Sequence, residues 1–209
     1  MYALIIIDVQ NDFCPGGELA VPYGDTIIPV INKLTPKFKY IVQTQDWHPI
    51  THKSFASNHE NRNPFNSIET FYGQQILWPN HCVMGSRGAE FHPKLDTIRT
   101  KLVIRKGFRP DIDSYSAFYE NDKKTSTGLT GYLRSVGVET VFVCGLATDF
   151  CVKWTVLDAL KEDFFTFVIS DAIRGIDINQ SVNEAIKEMV DAGASFIDSD
   201  DIVSNMTTY

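Results

Sequence analysis

Basic residues are scarce, with 19 Lys and Arg against 26 Asp and Glu in 209 residues and a formal charge of -7. Nothing gathers them into the basic stripe that a phosphate backbone requires, so nucleic acid is not an expected partner. Long apolar runs are missing too. The opening Met1-Tyr-Ala-Leu-Ile-Ile-Ile-Asp8 has no basic flank and stops at an acid far short of a bilayer's thickness. It reads as a buried strand of a soluble cytoplasmic protein, with no membrane partner. Cysteine is sparse: Cys14, Cys82, Cys144 and Cys151 follow no regular spacing, and without a secretion signal a disulfide framework is not expected. Repeats, low-complexity tracts and linkers are absent as well, so residues 1–209 are expected to form one domain with a single substantial core.

What is present alternates. Runs rich in β-branched and aromatic residues at 2–9, 40–45, 101–106, 140–145, 165–170 and 195–198 predict strands. Their continuous apolar character predicts burial on both faces, hence a parallel sheet. Helical spacing lies between them in Ile27, Val30, Ile31 and Leu34, in Val152, Val156, Leu157 and Leu160, and in Val182, Ile186, Met189 and Val190. The alternation predicts a three-layer α/β/α doubly wound sandwich. Residues 47–97 break the rhythm: they are polar, hold four of the nine prolines and concentrate the histidines. A loop region that long in a compact domain is usually functional.

In doubly wound sheets the ligand sits beyond the carboxyl ends of the strands, so reactive residues just after strands carry most weight. Asp8 follows the first strand, Lys106 ends the third, and Cys151 lies in Val143-Cys-Gly-Leu-Ala-Thr-Asp-Phe-Cys151, where the fourth gives way to a helix. Singly, each has an ordinary reading: a loop-ordering carboxylate, a surface lysine, a small core thiol. Together they form a nucleophile with a proton acceptor and a cation. Thr148 or Asp149 is expected to cap the helix and set Cys151 near its amides, which would lower the thiol pKa. Cys144, inside the strand, fits the inert reading better.

A second group follows the second strand. Residues two apart on extended backbone point the same way, so Asp46 and His48 of Asp46-Trp-His48 can grip one ion. His81 of Trp78-Pro-Asn-His81-Cys82 would join them from the irregular segment. One carboxylate and two imidazoles leave positions open, a pattern suited to zinc, iron or manganese.

These segments, with Asp8-Val-Gln-Asn-Asp-Phe13, Thr44-Gln-Asp-Trp-His-Pro49 and Lys106-Gly107, run in order through nearly the whole chain. They resemble the nicotinamidase/pyrazinamidase family of the isochorismatase-like cysteine hydrolases. The resemblance implies a six-stranded parallel sheet of order 3-2-1-4-5-6, a triad of Asp8, Lys106 and Cys151, and metal ligands Asp46, His48 and His81. It implies a cis peptide before Ala147, whose amide would join that of Cys151 as an oxyanion hole. It places Phe13, Leu19, Trp78 and Tyr115 around a flat pyridine ring, and it leaves His52, His59 and Glu60 as candidates for a further ligand. The activity implied is hydrolysis of nicotinamide, and of pyrazinamide, with one divalent metal ion, zinc first. The alternatives are a related cysteine amidase acting on carbamoyl or ureido compounds, which would not need the metal residues, and a non-catalytic binding protein, which would have lost a triad member. A small-molecule substrate and at most further copies of itself are the expected partners.

Overall fold

The computed structural model describes residues 1–206. In chain order its strands are β1 (Tyr2–Ile7), β2 (Tyr40–Asp46), β3 (Ser67–Thr70), β4 (Gly73–Ile76), β5 (Leu102–Lys106), β6 (Thr140–Leu146), β7 (Phe165–Arg174) and β8 (Ser195–Ile197). The helices are α1 (Ile28–Leu34), α2 (Leu129–Ser135), α3 (Lys153–Lys161), α4 (Ser181–Asp191) and α5 (Ser199–Asn205). Six strands form one sheet in the order β5-β2-β1-β6-β7-β8, every pairing parallel. Counting those six along the chain gives the expected 3-2-1-4-5-6.

The alternation of side chains along β1 explains the three layers. Leu4 and Ile6 join one core with Ile28 and Ile31 of α1 and Ile202 of α5. Ala3, Ile5 and Ile7 join the other with Leu133 of α2, Val156 of α3 and Met189 of α4. Burying each isoleucine stabilises by roughly 1.5–3 kcal/mol, which fixes β1 at the centre. None of the helices is long and apolar enough to cross a membrane among the described residues.

Two helices and a hairpin were not expected from the sequence. Helix α2 buries only Leu129 and Leu133, and α5 only Ser199 and Ile202, so neither spans enough turns to show a periodic stripe. Inside residues 47–97, β3 and β4 pair antiparallel as a separate hairpin. Its strands are short and mostly exposed, leaving no apolar alternation to read.

Candidate active site

The strand order reverses between β1 and β6, whose ends meet at the pair Ile7 and Gly145. Gly145 has φ +116°, and a Cβ there would lie 2.1 Å from the Ile7 carbonyl oxygen, so only glycine allows the two strand ends this close. Asp8 and the turn Thr148–Val152 therefore emerge side by side.

Asp8 is wholly buried; its Oδ1 accepts from Thr44 Oγ1 at 2.6 Å, and its backbone N–H donates to Thr44 Oγ1 at 3.1 Å. Its other oxygen, Oδ2, lies 2.7 Å from Lys106 Nζ as an ion pair. No well-aligned hydrogen bond reaches that oxygen, which leaves it able to take a proton. Burial raises the carboxyl pKa to about 6, against the opposing charge of Lys106 and with help from Asp46.

Lys106 is 1% exposed. Its Nζ also pairs with Asp46 Oδ1, donates to the Ser114 carbonyl at 3.0 Å and reaches Cys151 Sγ at 3.4 Å. Burial alone would lower its pKa, but Asp46 and Asp8 outweigh this and hold it well above the ordinary lysine value. Lys106 is therefore a fixed cation, and the ordinary reading of a surface lysine fails because its side chain is wholly buried.

Cys151 departs from expectation. It sits within a π turn, Thr148–Val152, ahead of α3, and no side chain caps that turn. Asp149 instead accepts from Ile176 N at 3.0 Å, Asp177 N at 2.9 Å and Ser181 Oγ at 2.6 Å, tying down the segment after β7. Burial pushes the Cys151 thiol well above its ordinary pKa, Lys106 opposes, and the carboxylates of Asp8 and Asp46 add to the rise. The shift runs opposite to the lowered pKa that the helix argument predicted. Cys14, Cys82 and Cys144 are also buried, with pKa values raised by burial, whereas the Lys106 Nζ contact to sulfur is with Cys151.

Asp46, His48 and His81 converge as expected, each offering a ligand atom within 4.8 Å of the others. His48 Nε2 lies 3.4 Å and His81 Nε2 3.7 Å from Asp46 Oδ2. Ligands held about 2.0–2.1 Å from one tetrahedral ion stand roughly 3.4 Å apart, so this spacing fits a shared metal. The opposite ring nitrogens face backbone carbonyls, His48 Nδ1 to Gly107 at 2.8 Å and His81 Nδ1 to Pro79 at 2.9 Å. Those contacts select the tautomer that presents Nε2. Gly107 has φ +67°, and a Cβ there would stand 2.3 Å from the His48 ring. Burial would raise the Asp46 pKa, but Lys106 and His48 outweigh it and keep the carboxylate ionised.

The candidate extra ligands stay outside this group. His52 Nδ1 accepts from Ser54 N at 3.1 Å, which places the ring proton on Nε2, facing the Ile112 carbonyl at 3.3 Å. His59 Nε2 faces the Lys53 carbonyl at 2.7 Å, and Glu60 is exposed.

A narrow cleft opens over Cys151, and Phe13, Leu19, Trp78, Tyr115 and Ala147 all line it beside Asp46 and His81. The Leu146–Ala147 peptide is cis. Three lining residues escaped the sequence reading: Phe150, Asp113 and Ile176. Phe150 adjoins Cys151 and Asp113 stands two residues before Tyr115, so proximity could have flagged both. Ile176 carries no local signal, since only the Asp149 clamp brings it in.

A parallel sheet with a cysteine, a carboxylate and a lysine at its switch point defines a cysteine hydrolase of α/β/α architecture. The chain belongs to the isochorismatase family, residues 2–201 matching the isochorismatase domain. It is 54% identical to the nicotinamidase of Acinetobacter baylyi, over 96% of this chain and 94% of that one. A solved nicotinamidase/pyrazinamidase of Acinetobacter baumannii superimposes with TM-score 0.95 at 55% identity, covering 96% of this chain and 97% of that one. The pyrazinamidase of Pyrococcus horikoshii, solved in complex with zinc, superimposes with TM-score 0.78 at 37% identity, covering 94% and 98%.

Proposed function

We propose that this protein is an amidohydrolase that converts nicotinamide to nicotinate and ammonia, acts on pyrazinamide as well, and works in the cytoplasm as a single domain. The observation that carries this reading is the Lys106 ammonium, which reaches Asp8, Cys151 and Asp46 at once at the floor of an apolar cleft. A triad alone would serve any amide. The triad joined to an Asp46, His48 and His81 group suits a flat amide whose ring carries a lone pair.

Phe13, Leu19, Trp78 and Tyr115 enclose the ring and exclude water from it. Asp46, His48 and His81 would hold a divalent ion, zinc first and iron or manganese also suited to the donors, which would supply a Lewis acid for the ring nitrogen. With the ring between these enclosing side chains, the carboxamide would be presented to Cys151 Sγ, and attack would become effectively unimolecular. Asp8 takes the thiol proton as sulfur adds to the carbonyl carbon, while Lys106 stabilises the negative charge as it forms. The Ala147 and Cys151 amides donate to the oxyanion. Asp8 then passes its proton to the amide nitrogen, the C–N bond breaks, ammonia leaves and a Cys151 thioester remains. Asp8, ionised again, draws a proton from a water that attacks the thioester. Nicotinate departs as Cys151 regains its proton.

Purified protein should release ammonia from nicotinamide and lose that activity with a chelator, recovering it on adding back zinc, iron or manganese. Release from an N-carbamoyl compound but not from nicotinamide would hand the reading to the ureido amidases, and release from neither would make the chain a binding protein.

A further inference from the structure

Of the eight strand residues in the β3–β4 hairpin, only Gln75 is buried, and it is 1% exposed. A hairpin could be pinned at lower desolvation cost by an apolar side chain, so a buried amide here needs its partners explained. Two of them, Asp113 and Tyr115, line the cleft. Gln75 Nε2 donates to Asp113 Oδ2 and to the Ile76 carbonyl, each at 2.7 Å, and shares one of these two N–H groups with Tyr115 Oη at 3.1 Å. Gln75 Oε1 accepts from Tyr72 Oη at 3.1 Å and Asn121 Nδ2 at 3.4 Å. This orientation of the amide is the one its neighbours permit, because the reverse would set oxygen against a carboxylate and a carbonyl.

Tyr115 Oη also accepts from Trp78 Nε1 at 3.2 Å. Two cleft walls, Tyr115 and Trp78, are thereby joined at one hydroxyl, and Gln75 is the second donor that holds it. Trp78 follows β4 by two residues, so the same hairpin sets the start of that wall. Asp113, a third lining residue, has Oδ1 occupied by Ser114 N at 2.8 Å and Oδ2 by Gln75.

We infer that Gln75 is a positioning residue for substrate binding: through Tyr115 and Asp113 it fixes the wall of the cleft against which the substrate ring lies. The inference rests on the proposed hydrolysis of nicotinamide. Gln75 reaches the ring only through other side chains, and its hydrogen-bond partners are Tyr72, Ile76, Asp113, Tyr115 and Asn121, so its effect falls on binding and not on bond breaking.

The test is steady-state kinetics of metal-loaded Gln75→Met, which keeps the length of the side chain and removes its amide. KM for nicotinamide should rise about tenfold with kcat within about twofold, the signature of lost uniform binding. Tyr115→Phe, which removes the shared hydroxyl and little volume, should raise KM by a similar factor, and adding Gln75→Met to it should raise KM by less than Gln75→Met does alone. A merely structural role would lower the melting temperature and the active fraction while leaving KM unchanged. An unchanged KM in folded Gln75→Met, or a fall in kcat alone, would overturn the inference. If Gln75→Met does not fold, a wild-type KM in Tyr115→Phe overturns it instead. Absence of turnover in the wild-type protein would count against the hydrolysis, not against Gln75.

Discussion

Asp46 and Lys106 are register partners on adjacent parallel strands, the last residue of β2 beside the last of β5, and their side chains pair through Asp46 Oδ1. The other oxygen of Asp46 faces His48 and His81. One carboxylate thus belongs to the metal group on one side and to the triad on the other, and one ammonium joins both. The predictions below follow from that shared charge.

Lys106→Met should preserve most of the packing and remove the cation that Asp8 and Asp46 both face. Breaking a buried ion pair costs about 3–5 kcal/mol, so the variant should fold with a melting temperature lower by roughly 10 °C. Turnover should fall by roughly 10²–10³-fold. Calorimetry and an ammonia assay check the two separately, and near-normal turnover would remove Lys106 from the chemistry.

Cys151→Ala should lower turnover on the order of 10⁴-fold or more while leaving the fold intact, since the sulfur is the nucleophile. Cys14→Ala and Cys144→Ala should each retain most of the activity. Mass spectrometry during turnover should find the acyl adduct on Cys151, and an adduct on another thiol would redirect the mechanism.

The pH profile should carry the mark of Asp8. Its folded pKa of about 6 lies above the ordinary 3.8, so its contribution to stability is full below about pH 4 and lost as pH rises through 6. Activity runs the other way, because only the ionised form can accept the thiol proton. The acid limb of kcat/KM should therefore centre near pH 6 in the free enzyme. A limb centred near 4 would show that burial does not govern this carboxylate.

Metal removal should weaken recognition more than folding. The cores on either side of the sheet do not depend on Asp46, His48 and His81, and an open three-ligand site can lose its ion and leave the domain standing. Chelation should shift the melting temperature by only a few degrees, and His48→Ala by little more, while nicotinamide binding by calorimetry weakens by roughly 10–100-fold. Benzamide, with the same ring shape and no ring nitrogen, should be a poor substrate of the loaded enzyme. Equal turnover of the two would assign the metal to another task.

The sequence by itself determined the sheet and the chemistry of its strand ends. Apolar runs long enough to be buried on both faces could only become parallel strands, and Asp8, Lys106 and Cys151 were legible because each stands where such a strand stops. Asp46 and His48 were legible for a similar reason, as a pair two apart on extended chain. The tertiary structure decided what depends on distant neighbours. The thiol pKa of Cys151 was misjudged from local helix position, because burial and two carboxylates from other strands outweigh Lys106 there. His52 stands 4.5 Å from His48, ring to ring, with its two nitrogens facing Ser54 and Ile112, and Ile176 was brought to the cleft by Asp149. Gln75 carried no signal at all, since a polar residue in a short exposed hairpin becomes a buried hub only when Asp113 and Tyr115 arrive from elsewhere in the chain. Local pattern records what a segment must bury, whereas a charge or an amide takes its energy from whatever the fold sets within a few ångströms of it.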